Sequence, residues 1–78
     1  MSKLNRISGN KAIKVLTKLG FSFVRQKGSH VIMKKNTLNG EIGCVVPLHD
    51  VLAIGTLSNI LKQANLSKEE FLETLKTI

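Results

Sequence analysis

Residues 21–33 read FSFVRQKGSHVIM, and this stretch decides the fold because it predicts a β-hairpin within the basic half of the chain. Residues 21–26 are predicted to form a strand, with Phe21, Phe23 and Arg25 on one face and Ser22, Val24 and Gln26 on the other. Lys27-Gly28 is predicted to form a two-residue turn, in which glycine supplies the positive φ. A second strand is predicted from about residue 30 to residue 35. The rest of the predicted sheet extends outward from this hairpin.

The predicted turn determines which side chains of the hairpin share a face. It would pair Arg25 with His30 and place Phe23 opposite Ile32. The face that carries Phe21, Phe23 and Ile32 would then be buried beneath the helices, with Arg25 and His30 at its rim. Because an unperturbed histidine both accepts and donates protons near neutral pH, His30 is a candidate acid or base. The alternative is that His30 is a rim residue of the sheet without chemistry.

Apolar residues that recur every three or four positions predict helices on both sides of the strands. The first helix is predicted over residues 8–19, with Ser8 as its N-cap and Gly20 as the left-handed residue that ends it. The second begins near residues 55–56, and Asn65 ends it in the left-handed conformation.

A third strand and a third helix complete the predicted order. The strand is expected over residues 42–46, after an Asn39-Gly40 turn and before Pro47. Ser67 and Glu70 form a capping-box sequence that opens the last helix. The order α-β-β-β-α-α predicts an α+β fold, in which helices pack on one face of a three-stranded antiparallel sheet.

Positive charge is concentrated in the first half of the chain. The net charge is +7; residues 1–40 hold nine Lys or Arg and no acidic residue, whereas residues 41–78 hold three basic and five acidic residues. Such a one-sign surface is typical of proteins that bind a phosphate backbone. Lys11, Lys14 and Lys18 share a face of the first helix away from its apolar stripe. The alternative for this row is a solvated helix face.

Size and composition narrow the possible classes of protein. A chain of 78 residues is expected to form a single domain, residues 1–78, too small for a dinucleotide-binding cleft. No apolar run has the length of a membrane span or of a signal-peptide core, so a cytoplasmic protein without membrane contact is expected. Cys44 is predicted to be a packed thiol rather than a nucleophile. The two histidines and scattered carboxylates lack metal-ligand spacing, so no metal or cofactor is expected.

Several segments of the chain match the pattern of a known family. They are LTKLGF at residues 16–21, RQKGSH at 25–30, VPLH at 46–49 and GTLSNILKQA at 55–64. Together they resemble the HicA/YcfA-like toxins of type II toxin–antitoxin systems. The resemblance spans residues 8 to about 75. Gly-Ser-His alone is a weak motif, but this motif followed at this distance by the later segments is specific.

The resemblance implies a fold like that of the double-stranded-RNA-binding domain and the activity of an mRNA interferase. It gives His30, the histidine of the Gly-Ser-His motif, the catalytic role. It also implies a HicB-like antitoxin as the partner that blocks the active site. The chain departs from the family pattern at Asn65, where glycine is common, and at Val31, where some members carry a second histidine.

A metal-independent ribonuclease needs a base for the 2′-hydroxyl, cations for the developing phosphorane and an acid for the leaving oxygen. His30 is the candidate acid/base, and Arg25 or Lys27 would steady the phosphate. His49, beside Asp50 in the predicted loop after the third strand, is a possible second acid/base group or polar surface. The predicted contacts with single-stranded mRNA are Arg25, Lys27, Gly28, Ser29, Lys11, Lys14 and Lys34.

The main alternative is a non-catalytic RNA-binding module with the same fold, because double-stranded RNA is recognised mostly by shape and backbone contacts. Such a module would be expected to carry a lysine cluster at the start of the second predicted helix. That helix carries only Lys62.

Overall fold

The order of helices and strands is the predicted one. The structure, a computed structural model, describes residues 6–78. Its elements are α1 (Gly9–Lys18), β1 (Ser22–Lys27), β2 (His30–Thr37), β3 (Gly40–Pro47), α2 (Ile54–Gln63) and α3 (Lys68–Leu75). The strands form one antiparallel sheet in the order β1-β2-β3, which confirms the α+β fold. Within residues 6–78, no helix has the length and apolar character needed to cross a membrane.

One face of the sheet forms the floor of the hydrophobic core. On this face Val31 of β2 pairs with Val46 of β3, and Met33 pairs with Cys44. All four side chains are at most 3 % exposed. The core side chains of the helices pack on them: Ala12, Val15 and Leu16 from α1, Leu57, Ile60 and Leu61 from α2, and Phe71 from α3. The helices therefore cover a single face of the sheet, as predicted.

The turn between β1 and β2 consists of Gly28 and Ser29, so the predicted Lys27-Gly28 turn is wrong. Lys27 pairs directly with His30, and Gly28 has a φ of 60°. The Ser29 carbonyl accepts a hydrogen bond of 2.7 Å from the backbone N–H of Leu48, just after β3. This contact from outside the hairpin fixes the turn, and the local sequence pattern does not contain it.

The predicted buried face of the hairpin is also wrong, apart from Phe21, which is 2 % exposed. Arg25 pairs with Ile32 rather than with His30, and Ile32 is half-buried on the face away from the helices. A β-bulge shifts the register between Phe23 and Arg25. Phe23 pairs with Met33 on the helix side, but at the free edge of the sheet, where it stays 58 % exposed.

The predicted helix ends are confirmed. The Ser8 side chain accepts a hydrogen bond of 3.0 Å from a backbone N–H in the first turn of α1. Ser67 and Glu70 form the capping box of α3. Gly20 follows α1 with a φ of 100°, and Asn65 follows α2 with a φ of 57°. Each helix end therefore has the backbone conformation or side-chain oxygen that its sequence provides.

The start of α1 is docked against the segment that follows β3. The N–H of buried Gly9 donates a hydrogen bond of 2.9 Å to the His49 carbonyl, and the N–H of Leu52 donates one of 2.7 Å to the Ile7 carbonyl. A Cβ atom at Gly9 would collide with the carbonyl oxygen of Pro47. Only glycine allows this approach, which ties the loop carrying His49 to the helix layer.

Candidate nucleic-acid interface

The sheet has a second face, opposite the one that the helices cover, which we call the open face. Apart from Pro47, which is buried at the His30 end, its residues are either exposed or half-buried. Strand pairing and the alternation of side chains assign to it Ser22, Val24, Arg25, Lys27, His30, Ile32, Lys34, Asn36, Glu41, Gly43 and Val45. Positive charge follows this face from the first hairpin toward the second.

His30 lies at one end of the open face, as the first residue of the central strand. Its side chain is exposed. It stands directly opposite Lys27 of β1 and Pro47 of β3, and Arg25 lies one pair further along the same face. Because side chains opposite one another on a sheet have Cβ atoms about 5 Å apart, a phosphate beside His30 is within reach of both cations.

The structure brings the second histidine to the same end of the sheet. The N–H of Leu48, the neighbour of His49, binds the Ser29 carbonyl beside His30. The His49 carbonyl in turn accepts the hydrogen bond from Gly9. The His49 side chain is exposed. A substrate bound over His30 would therefore pass close to the loop that carries His49.

The predicted RNA contacts fall on two different surfaces. Arg25, Lys27 and Lys34 lie on the open face with His30. Lys11 and Lys14 are exposed on α1, which packs on the other face of the sheet. The predicted contacts therefore belong to both layers of the fold, and those on the sheet are the ones that share the face of His30.

Gly28 and Ser29 are exposed in the turn that leads into His30. Gly28 provides the left-handed conformation, and its carbonyl accepts a hydrogen bond of 2.9 Å from the Gln26 side chain. Ser29 directly precedes His30 in the chain. The backbone of this turn is thus held on both sides, which fixes the position of the histidine.

The open face also holds polar residues that the sequence analysis did not identify. Ser22, Asn36 and Glu41 lie at the end far from His30, where they line a groove of about 470 Å³. Glu41 forms an ion pair of 3.1 Å with Lys34. The alternation of side chains along β2 and β3 is the signal that identifies this group, once the correct buried face is known.

Cys44 lies on the buried face and is 2 % exposed. Desolvation by burial raises the pKa of its thiol to about 11. The thiol is therefore protonated at neutral pH and packed in the core, as predicted. Within residues 6–78, no three His, Cys, Asp or Glu side chains are grouped so that they could hold a metal ion.

Comparison with models of protein families gives a match. A family model described as HicA toxin of bacterial toxin–antitoxin matches residues 9–66, which run from the start of α1 through α2 and include the whole sheet. No curated protein matches the chain. The matched segment contains the open face and both histidines.

Proposed function

Because the chain belongs to the HicA toxin family of bacterial toxin–antitoxin systems, we propose that it is an mRNA interferase, an endoribonuclease that cleaves single-stranded mRNA. Family membership covers residues 9–66 and makes the protein the toxin of such a pair, with an antitoxin as its partner. We propose in addition the nuclease chemistry, the RNA substrate and the residues that take part in cleavage.

The observation that carries the proposal is the position of His30 on the open face. The histidine is exposed, stands opposite Lys27, and shares its face with Arg25. An imidazole beside two guanidinium or ammonium groups is suited to a phosphodiester, because the cations stabilise the charge that develops as the phosphorane forms. The backbone contacts of Ser29 hold this group in place.

RNA carries its own nucleophile, the 2′-hydroxyl. In the proposed reaction a base takes the 2′-hydroxyl proton, and the 2′-oxygen forms a bond to the adjacent phosphorus. The bond from phosphorus to the 5′-oxygen breaks, and that oxygen takes a proton from an acid. The products are a 2′,3′-cyclic phosphate and a 5′-hydroxyl. His30 is the proposed acid/base group, and such a group contributes about 10²–10⁴-fold to the rate.

His49 is the candidate for the second proton-transfer group. The loop after β3 places it at the His30 end of the sheet. One histidine would otherwise have to serve both the attacking and the leaving oxygen. A bound RNA strand that contacts both side chains would divide the two roles between them.

We further propose that a HicB-like antitoxin inhibits the toxin by covering the His30 end of the open face. A partner with acidic side chains would suit Arg25 and Lys27 there. An mRNA substrate implies that the toxin acts in the cytoplasm.

The test is to incubate the purified protein with a long single-stranded RNA in EDTA, beside His30→Ala and His49→Ala. We expect the wild type to cut the RNA and His30→Ala to lose at least about 100-fold in rate, because general acid/base help is removed. The product ends should be 2′,3′-cyclic phosphates. Products with 3′-hydroxyl ends, or full activity in His30→Ala, would contradict the mechanism.

If the wild type and His30→Ala both bind the RNA and neither cuts it, the result would favour the non-catalytic RNA-binding module instead. The surface of α2 provides little positive charge for binding duplex RNA. That helix carries Lys62 in its last turn and no other basic residue.

A further inference from the structure

The groove at the far end of the open face carries chemistry that the proposed cleavage does not use. Side chains of all three strands meet there, and the groove of about 470 Å³ is large enough for a nucleobase. Its walls consist of Gly20, Ser22, Val24, Lys34, Lys35, Asn36 and Glu41. Val24 is 45 % exposed and supplies an apolar surface.

Glu41 is the unusual member of this group, because it is the only acidic residue in β1, β2 and β3. A carboxylate on a surface that binds phosphates repels the RNA backbone. Its ion pair with Lys34 joins side chains that are 43 % and 54 % exposed, and exposed pairs of this kind contribute little to stability. Glu41 therefore adds little stability through this ion pair and weakens the binding of an RNA backbone at this position.

Base recognition would give this carboxylate a function. We propose that the groove is a specificity subsite that binds guanine through Glu41. A carboxylate only accepts hydrogen bonds. Guanine is the base whose Watson–Crick edge presents two adjacent donors, N1–H and N2–H, which match the two oxygens of one carboxylate. The Asn36 amide and the Ser22 hydroxyl can bind the remaining polar atoms of the base, and Val24 packs on its flat face.

The position of the groove relates it to the cleavage site and rests on the proposed function. Lys34 lies four residues after His30 on the same face of β2, a distance of about 13 Å along the strand. Between them, Ile32 and Val45 provide apolar surface over which the intervening nucleotides can lie. An RNA strand with its scissile phosphate at His30 would place a base a few nucleotides away in the groove.

The experiment uses oligouridylates that carry a single guanine at successive positions. With the wild type, we expect cuts at one constant spacing of a few nucleotides from the guanine. With His30→Ala, fluorescence anisotropy should show tighter binding of these strands than of oligouridylate, by roughly 5- to 150-fold for a bidentate base contact. Replacing guanine with hypoxanthine, which lacks the 2-amino group, should remove much of this difference.

Glu41→Gln is expected to abolish the preference for guanine in both assays. Glu73→Gln is the matched control, because Glu73 lies on α3 and its substitution removes an equal charge and an exposed ion pair with Lys76. RNA binding without guanine preference, or a preference that survives Glu41→Gln, overturns the subsite and leaves the nuclease proposal intact. If no RNA is bound or cut at all, both proposals fail.

Discussion

At the scale of single residues, opposite environments on the two faces of one sheet decide what each side chain can do. His30 and Val31 are neighbours in β2, yet His30 is exposed and Val31 is buried in the core. Met33 and Cys44 continue the buried side, where burial holds the thiol in its protonated form. A side chain of the open face can contact a ligand in water, whereas its buried neighbour contributes packing alone.

Cys44 gives a prediction about pH. Burial raises the pKa of its thiol from 9.0 to about 11, so between these values the unfolded chain loses a proton that the folded chain keeps. The free energy of unfolding should therefore fall as the pH rises from about 9 to 11. Urea unfolding of the wild type and of Cys44→Ala at each pH measures this effect.

Lysines also titrate in this pH range, so the difference between the two proteins is the relevant quantity. We expect the wild type to lose more stability than Cys44→Ala over the same interval. Parallel curves for the two proteins would show that the Cys44 thiol is not desolvated in solution.

At the scale of elements, the helix ends and strand ends position the site. The first turn of α1 is held by the Ser8 cap and by the hydrogen bond from Gly9 to His49. The same segment after β3 binds the Ser29 carbonyl of the first hairpin. Helix α1 therefore supports the hairpin that carries His30 through a loop distant from it in sequence.

Replacing the cap tests this support. Ser8→Ala removes the side-chain acceptor of the Lys11 N–H, and we expect it to lower the free energy of unfolding by about 0.5–2 kcal/mol. Ser8→Asp is the matched control, because aspartate caps equally well and the first turn of α1 holds no acidic residue. A Ser8→Asp protein as unstable as Ser8→Ala would indicate that the hydroxyl has a different role.

At the scale of the whole molecule, exposed basic residues lie on two sides of the structure that residues 6–78 form. One side is the open face with Arg25 and Lys27, and the other is α1 with Lys11 and Lys14. Both sides would attract a polyanion such as the proposed RNA substrate at long range, because the electrostatic field of the molecule does not depend on contact. Only the open face places its cations beside His30.

This division predicts different effects for equal changes of charge. Arg25→Gln with Lys27→Gln should lower kcat/KM on RNA by on the order of tenfold or more, through lost stabilisation of the phosphorane. Lys11→Gln with Lys14→Gln removes the same charge and should act mainly by weakening binding at low salt. Cleavage kinetics at two salt concentrations distinguish a loss of catalysis from a loss of binding. Equal losses of kcat from both double variants would place the α1 lysines in the active site.

The sequence by itself determined the order of elements, the helix caps and the concentration of positive charge. These features depend on local rules: apolar spacing of three or four residues, a capping oxygen at Ser8 or Ser67, and left-handed backbone at Gly20 or Asn65. The sequence also identified His30 as a candidate site residue, because the Gly-Ser-His motif and the resemblance to a family can be read from it directly.

Only the tertiary structure decided which face of the sheet is buried and which residues stand around His30. The turn at Gly28 and Ser29 is fixed by Leu48, from beyond β3, and the bulge moves Phe23 away from the face of Arg25. Because strand side chains alternate with a period of two, a change of the buried face moves every residue of a strand between the core and the open face. That choice placed Glu41 on the same open face as His30, in a groove formed by three strands that no single segment of sequence contains.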